Sequence, residues 1–233
     1  MRTAAIIVAA GRGIRLGTNI PKQFLEINGK PLLYYTVEKF QQCSAVDDII
    51  LVVPDDHLNE KVKPVLNNQT FSKIQGIVAG GKERYHSVYN GLCAVNQQPD
   101  IAIIHDGVRP FISISTIEQA IALCVEWDAV VVAVPVKDTI KEIRNGIVSH
   151  TLPRDNLWAI QTPQVFKYNL ILKGYNNLGK RHHPEITDDA MLLEQLGFRV
   201  RILKGSYSNI KITSADDFEW AKFVIENGLK VRS

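Results

Sequence analysis

The stretch AAIIVAAGRGIRLGTNIPKQF, residues 4–24, decides how the rest of the chain is read. Its first seven residues are short, apolar and continuous, without the alternation of a half-exposed strand. That is the pattern of a strand covered on both faces. Three glycines follow, Gly11, Gly13 and Gly17, interleaved with Arg12 and Arg15 and followed by Lys22. A buried strand running into a glycine turn is a phosphate-binding layout, because backbone N–H groups face outward and no Cβ blocks a close approach. Two familiar versions do not fit. The spacing GxGxxxG is one residue longer than the dinucleotide fingerprint, and no GK[ST] follows as in a Walker loop. Read alone, the turn suits either a phosphate cradle or a tight turn with solvated arginines. Charge favours the cradle: residues 1–25 hold Arg2, Arg12, Arg15 and Lys22, and the first acidic residue is Glu26.

Three further runs share the style of the first: IILVV (49–53), IAIIH (101–105) and AVVVAVPV (129–136). Helix-like segments lie between them at 31–43, 84–95 and 115–127, the last with Ser115 as its expected cap. Strands alternating with helices predict an α/β fold with a mostly parallel sheet. Ligands in such sheets collect at the carboxyl ends of the strands. Gly11 onward, Asp106 onward and the stretch after Pro135 are therefore the places to expect chemistry.

Residues 137–158 break this rhythm. KDTIKEIRNGIVSHTL (137–152) sets Asn145-Gly146 between β-branched flanks, a strong hairpin signal. A lone two-stranded hairpin is marginal in water. The arm is thus expected to lie on a twofold-related copy of the chain or to fold back on its own domain. Beyond it, the sequence predicts a helix over 187–197, a strand over 199–205 and a final helix from about Ser214. The expected organisation is one domain, residues 1–233, with a β-arm projecting from it.

The chain has 233 residues and a formal net charge of +3, so binding nucleic acid by bulk electrostatics is not expected and any strong field must be local. Cys43, Cys93 and Cys124 are far apart and lack a CxxC spacing, which points to reduced thiols in a cytoplasmic protein. No stretch approaches the roughly 18 apolar residues of a membrane span. His182-His183 lacks further ligand-type neighbours and reads as a surface pair.

Phosphate chemistry calls for a metal-holding carboxylate, and IAIIHDGVRPF (101–111) offers Asp106 where a strand ends. Oxygen ligands suit Mg²⁺, which is commonly held by one or two carboxylates together with phosphate oxygens and waters. The plainer reading is an aspartate capping a turn and paired with Arg109. Gly107 is expected to let a substrate come close.

Six blocks in one order carry a specific resemblance. AAGRGIRLGTNIPKQF (9–24), AGGKERYHSV (79–88), HDGVRPF (105–111), VPVKDTIK (134–141), PRDNLWAIQTPQVF (153–166) and SNIKIT (208–213) resemble the 2-C-methyl-D-erythritol 4-phosphate cytidylyltransferase family, across nearly the whole chain. The resemblance implies a Rossmann-like nucleotidyltransferase domain that joins CTP to a polyol phosphate and releases pyrophosphate, in non-mevalonate isoprenoid biosynthesis. Arg15 and Lys22 then look like the pair that stabilises the transition state. Ala9, Ala10, Gly11 and Gly13 resemble the backbone cradle of the nucleotide, Gly81 and Ser87 the positions that read the cytosine edge, and Asp106 the Mg²⁺ aspartate. Arg154 and Lys211 look like residues that position the substrate phosphate, with Arg109, Thr139 and Thr162 in the same pocket. In the family the arm crosses to the other subunit of a homodimer, so Thr139 and Arg154 would serve the neighbour's site. Thr187-Asp188-Asp189 also resembles a family segment, although helix capping accounts for it.

A ribitol-5-phosphate cytidylyltransferase is similar in the glycine loop, PKQ, HDxVRPF and TPQ blocks; VPVKDTIK and PRDNLW favour the erythritol enzyme. A sugar-1-phosphate nucleotidylyltransferase using UTP or GTP and a non-catalytic nucleotide-binding module are the remaining alternatives.

Overall fold

The computed structural model describes residues 1–11, 20–55, 62, 70–178 and 186–229. Arg12, Gly13, Arg15, Gly17 and His182-His183 lie outside the described residues.

The four apolar runs form β1 (Thr3–Val8), β4 (Asp48–Val53), β6 (Ile101–Asp106) and β7 (Ala129–Pro135). Three more strands complete a seven-stranded sheet: β5 (Ile74–Ala79), β10 (Trp158–Lys167) and β11 (Val200–Lys204), in the order β11-β7-β10-β6-β1-β4-β5. All neighbours pair in parallel except β10, which runs antiparallel to both β6 and β7. The chain leaves β1 toward β4 on one side and later returns to add β6 on the other. The strand order therefore reverses between β1 and β6, where Val8 stands opposite Asp106. This switch point is where open α/β sheets bind ligands.

Alternate residues of each strand feed opposite faces of the sheet. Ala5, Ile7, Leu51 and Ile103 pack with α1 (Leu32–Gln42) and α3 (Ile114–Glu126). Ile6, Val52, Ile104 and Val131 pack with α2 (Arg84–Cys93), α4 (Tyr168–Leu178) and α5 (Ala190–Gln195). The C-terminal α6 (Ala215–Glu226) closes a smaller cluster with Ile27, Leu32, Val108 and Ile212, beside the short pair β2 (Glu26–Ile27) and β3 (Lys30–Pro31). Among the described residues no helix is long and apolar enough to cross a membrane.

Several local expectations need correcting. The cap of α3 is Ser113, whose hydroxyl accepts from the Thr116 N–H; Ser115 already lies inside the helix. The helix expected over 187–197 is only α5, whose start is capped by Asp188 Oδ1 accepting from the Met191 N–H, while Asp189 is drawn into an ion pair instead. The expectation also lacked β5 and β10. β5 is only partly buried and carries Gln75 and Gly76, so it has no continuous apolar run. β10 holds a proline in mid-sheet, which argues against a central strand unless a bulge removes the need for its N–H. Such a bulge exists, since pairing with β7 skips from Ile160 to Gln164, and the Thr162–Pro163 peptide within it is cis.

The arm forms β8 (Lys141–Arg144) and β9 (Ile147–Thr151), joined through Asn145 and Gly146 at φ 51° and 79°. Two successive positive φ values are those of a type I′ turn. Ile143, Ile147 and Val148 are 54%, 73% and 51% exposed, so the hairpin does not fold back to bury them against its own chain.

Candidate active site

The carboxyl ends of β1, β5 and β6 converge at the switch point. Ala9 continues the sheet by donating to the Val52 carbonyl, and its own carbonyl accepts from the buried side-chain amide of Gln23. The same amide reaches the Gly11 carbonyl at 2.9 Å. Gln23 thus ties the start of the glycine turn to the 3-10 turn Lys22–Phe24, which begins at Lys22 directly after the rigid Pro21. Lys22 is half-buried and stands on this braced piece of backbone.

Across β1 lies the loop that follows β5. Gly80 approaches Ala10 so closely that a Cβ on it would sit 2.1 Å from the Ala10 Cβ and 2.9 Å from the Ser87 hydroxyl. Only glycine permits that approach. The Ser87 hydroxyl accepts from the Gly81 N–H at 3.0 Å. The sequence expectations for Ala10, Gly81 and Ser87 therefore fall on adjacent backbone. Ser87 also lies in the first turn of α2, which a Glu83–His86 capping box opens.

Asp106 ends β6. Its backbone N–H donates to Thr162 Oγ1 at 3.0 Å, which explains the β10 bulge: the extra residues swing Thr162 beneath the strand end. The carboxylate, 8% exposed, faces three cations, with Arg84 Nε 3.4 Å from Oδ1, and Arg109 Nε at 3.4 Å and Lys211 Nζ at 3.1 Å from Oδ2. Burial alone would raise its pKa. Arg84, Lys211 and Arg109 together overcome that and hold it well below the usual carboxylate range. Its neighbour His105 is fully buried with Nε2 near the Arg109 carbonyl, and burial pushes its pKa down to about 3, leaving the ring neutral.

Arg109 is itself anchored by donating to the Asn209 carbonyl at 2.7 Å. The Asn209 side-chain amide bonds the Thr162 carbonyl and the Gln161 side chain, and the Ile212 N–H reaches the Val108 carbonyl. These bonds fasten the 208–213 segment against the end of β6 and carry Lys211 to Asp106. A cavity of about 460 Å³ opens here, lined by Arg84, Asp106, Arg109, Thr162, Asp188 and Lys211 among others. Gly107 plays a different part from the one expected. A Cβ there would meet Ala9 and Leu33, so it serves packing between β1 and α1.

Four of the expected residues, Asp106, Arg109, Thr162 and Lys211, therefore gather around one cavity. Ala9, Ala10, Gly11 and Gly81 follow the ends of β1 and β5, Ser87 lies in the first turn of α2, and Lys22 lies in the 3-10 turn that Gln23 ties to Ala9 and Gly11. Arg154 and Thr139 do not line this cavity. Arg154 is exposed at the base of the arm and donates to the Lys137 carbonyl, and Thr139 is exposed on the same arm. Sequence reasoning missed Gln23 and Arg84, and gave Asp189 only a helix-capping account, which the ion pair to Arg84 replaces. Arg84 had a readable signal, being a cation at the first position of a helix, where the dipole disfavours it.

An open α/β sheet whose switch point carries an ionised aspartate ringed by basic side chains suits a nucleotidyltransferase. The family model for 2-C-methyl-D-erythritol 4-phosphate cytidylyltransferase matches residues 3–227. The chain belongs to that family. It is 45% identical over 232 residues to the 2-C-methyl-D-erythritol 4-phosphate cytidylyltransferase of Alkaliphilus oremlandii, covering 99% of this chain and 96% of that one. Among solved structures, it is similar to 4-diphosphocytidyl-2C-methyl-D-erythritol synthase from Anaerococcus prevotii, with TM-score 0.84 at 33% identity, covering 97% of this chain and 96% of that chain. The Francisella tularensis 2-C-methyl-D-erythritol 4-phosphate cytidylyltransferase superposes with TM-score 0.77 at 32% identity over 96% of this chain and 99% of that chain. These matches favour the erythritol enzyme over the ribitol alternative.

Proposed function

We propose that the chain joins CTP to 2-C-methyl-D-erythritol 4-phosphate, in isoprenoid biosynthesis, at the cavity beside Asp106. An oxygen of the monoester phosphate attacks the α-phosphorus of CTP. The bond from that phosphorus to the bridging β-phosphate oxygen breaks, and pyrophosphate leaves. The attacking group is already an anion, so no general base is needed, and catalysis reduces to positioning and charge stabilisation. The observation that supports this most is the triple cationic ring on Asp106 at the switch point. Two polyanionic substrates repel each other, and a fixed positive field offsets that repulsion.

In this reading Lys22 and Arg15 bear on the transferring phosphoryl group, while Ala9, Ala10, Gly11 and Gly13 line the nucleotide by backbone. Gly81 and Ser87 meet the cytosine edge. Lys211, Arg109 and Thr162 hold the polyol phosphate, joined by Arg154 and Thr139 from the arm of a second copy. The exposed apolar side chains of the arm, Ile143, Ile147 and Val148, support a homodimer built through residues 137–158.

The donor set also suits Mg²⁺ in the way that ion is commonly held. Asp106 is ionised and stands at the cavity, and no cluster of three metal-ligating side chains exists among the described residues. A single carboxylate would be complemented by phosphate oxygens and water. Lys211, with its side chain 39% exposed on a flexible stem, can turn from Asp106 toward a bound phosphate. When bound, the ion supplies charge neutralisation on the triphosphate. The reading is tested by a coupled pyrophosphate assay across CTP, UTP and GTP with methylerythritol, ribitol and sugar phosphates. Turnover confined to CTP with methylerythritol phosphate is expected, and preference for ribitol phosphate would overturn the substrate assignment.

A further inference from the structure

Arg84 belongs to the cationic ring on Asp106, but no contact with either substrate is assigned to it, and its own tethering is unusually complete. Its Nη1 and Nη2 donate to Asp189 Oδ1 and Oδ2 at 2.9 and 2.8 Å, a fork-to-fork pair. Asp189 is fully buried, and its Oδ1 also accepts from the Tyr175 hydroxyl at 2.5 Å. The backbone N–H groups of Asp189 and Ala190 both donate to Gln164 Oε1, on β10, so the carboxylate is fixed at its own backbone as well. With Nη1 and Nη2 each donating to Asp189, Nε is the nitrogen that faces Asp106, directed at its Oδ1.

Stability alone does not account for this arrangement. A buried ion pair is often no better than well-packed apolar side chains of similar volume. Arg84 also opens α2, where the helix dipole opposes a cation. What the arrangement does achieve is geometric. A contact of 3.4 Å is too long to orient a carboxylate unless the donor itself cannot move, and Asp189 immobilises the donor. One carboxylate oxygen of Asp106 is thereby assigned to Arg84, which leaves Oδ2 to Arg109 and Lys211.

We propose that Arg84 is a positioning residue, clamped by Asp189 and Tyr175, that fixes the rotation of Asp106 and through it the placement of Lys211. This deepens the reading above and rests on Asp106 acting on the substrates. The role predicts a split in kinetic constants. Arg84→Lys keeps a positive charge but loses the planar fork, so it cannot hold Asp189 and Asp106 together. Asp189→Asn keeps the guanidinium but loosens it.

The experiment compares Arg84→Lys, Asp189→Asn, the double variant and Tyr175→Phe with the unmodified protein. Steady-state kinetics are measured alongside CTP binding by calorimetry and thermal unfolding. Each single charge-site variant is expected to lower kcat by about 10- to 100-fold, the usual scale for residues that orient a ligand-bearing side chain. KM and calorimetric affinity for CTP are expected to change by less than about threefold, whereas KM for the polyol phosphate, which Lys211 holds, is expected to rise. Because both residues act through one contact, the double variant is expected to be no slower than the slower single variant. Tyr175→Phe removes one hydrogen bond while keeping both charges, and should lower kcat about threefold. It keeps the proposal testable if the charge-site variants do not fold. Any folded variant of these three positions with unchanged kcat would overturn the proposal, as would multiplicative losses in the double variant. Asp106→Asn is measured in parallel. Full activity there would instead remove Asp106 from the reaction, which separates the two failures.

Discussion

Lys211 Nζ lies 3.1 Å from Asp106 Oδ2, so the residue proposed to hold the polyol phosphate and the residue proposed to hold the metal form one ion pair. The two positions are far apart in sequence, and the pairing depends on the 208–213 segment being fastened beside β6 through Asn209 and Ile212. An anionic substrate entering this cavity would compete with Asp106 for the lysine. Binding and metal placement are therefore coupled.

From this coupling, Asp106→Asn should lower kcat by about 10²-fold or more, the scale of losing a group that stabilises developing charge. The amide keeps an acceptor for Arg84, so the fold should survive, as a circular dichroism melt can establish. Lys211→Ala should instead raise KM for methylerythritol phosphate more than for CTP. Equal changes in both KM values would place Lys211 outside the polyol pocket.

The braced position of Lys22 leads to a second expectation. Lys22→Ala should cut kcat by about 10²-fold while the melting temperature stays close to that of the unmodified protein. Gln23→Ala should behave differently, since it strips the Ala9 and Gly11 carbonyls of a buried donor. A stability loss of about 1–3 kcal/mol is expected, with a raised KM for CTP. Arg15→Ala should resemble Lys22→Ala. Near-normal turnover in either basic-residue variant would take that residue out of the catalytic assignment.

The capping box of α6 supplies a pH test. Asp217 Oδ2 accepts from the N–H groups of Thr213 and Ser214 and from the Thr213 hydroxyl. Burial acts to raise its pKa, but these bonds outweigh it and the value is lowered. A carboxylate with a depressed folded pKa contributes stability that is present above the unfolded value, about 3.9, and lost as pH falls through the folded one. Asp217→Asn should therefore cost about 1 kcal/mol near neutral pH, and the difference from the unmodified protein should shrink below about pH 4. Urea titrations at pH 7 and pH 3 would measure it; a gap that widens in acid contradicts the assignment. Thr213 lies two residues beyond Lys211, so the neutral-pH variant should also raise KM for the polyol phosphate.

The sequence made β1, β4, β6 and β7 legible because each was a continuous β-branched run, and such runs have few other uses in a protein with no membrane-length segment; β5, parallel too but broken by Gln75 and Gly76, was not. Asp106 was legible because it sits at the end of one such run. β10 was not legible: Pro163 and the polar Gln161, Thr162 and Gln164 disguise a central strand, and only the bulge reconciles them with the sheet. The clamp on Arg84 was hidden for a different reason. Asp189 reads as a helix cap when only neighbours in sequence are considered, and its partner lies 105 residues away. Long-range ion pairs leave no periodic trace.

The arm yields the most demanding prediction. Arg154 stands at its base, with its guanidinium on the Lys137 carbonyl and away from the Asp106 cavity of its own chain. If the arm crosses to a second copy, a site is built from Lys22 of one chain and Arg154 of the other. Lys22→Ala and Arg154→Ala should then each be nearly inactive alone. Mixed in equal amounts and allowed to exchange, they should regain about a quarter of full activity, because half the dimers carry one site with both residues intact. The recovery should disappear when Ile147 and Val148, both more than half exposed on the hairpin, are replaced by lysine to repel the partner. A mixture that stays inactive despite demonstrated subunit exchange would mean that each chain completes its own site, with Arg154 acting where it stands or not at all.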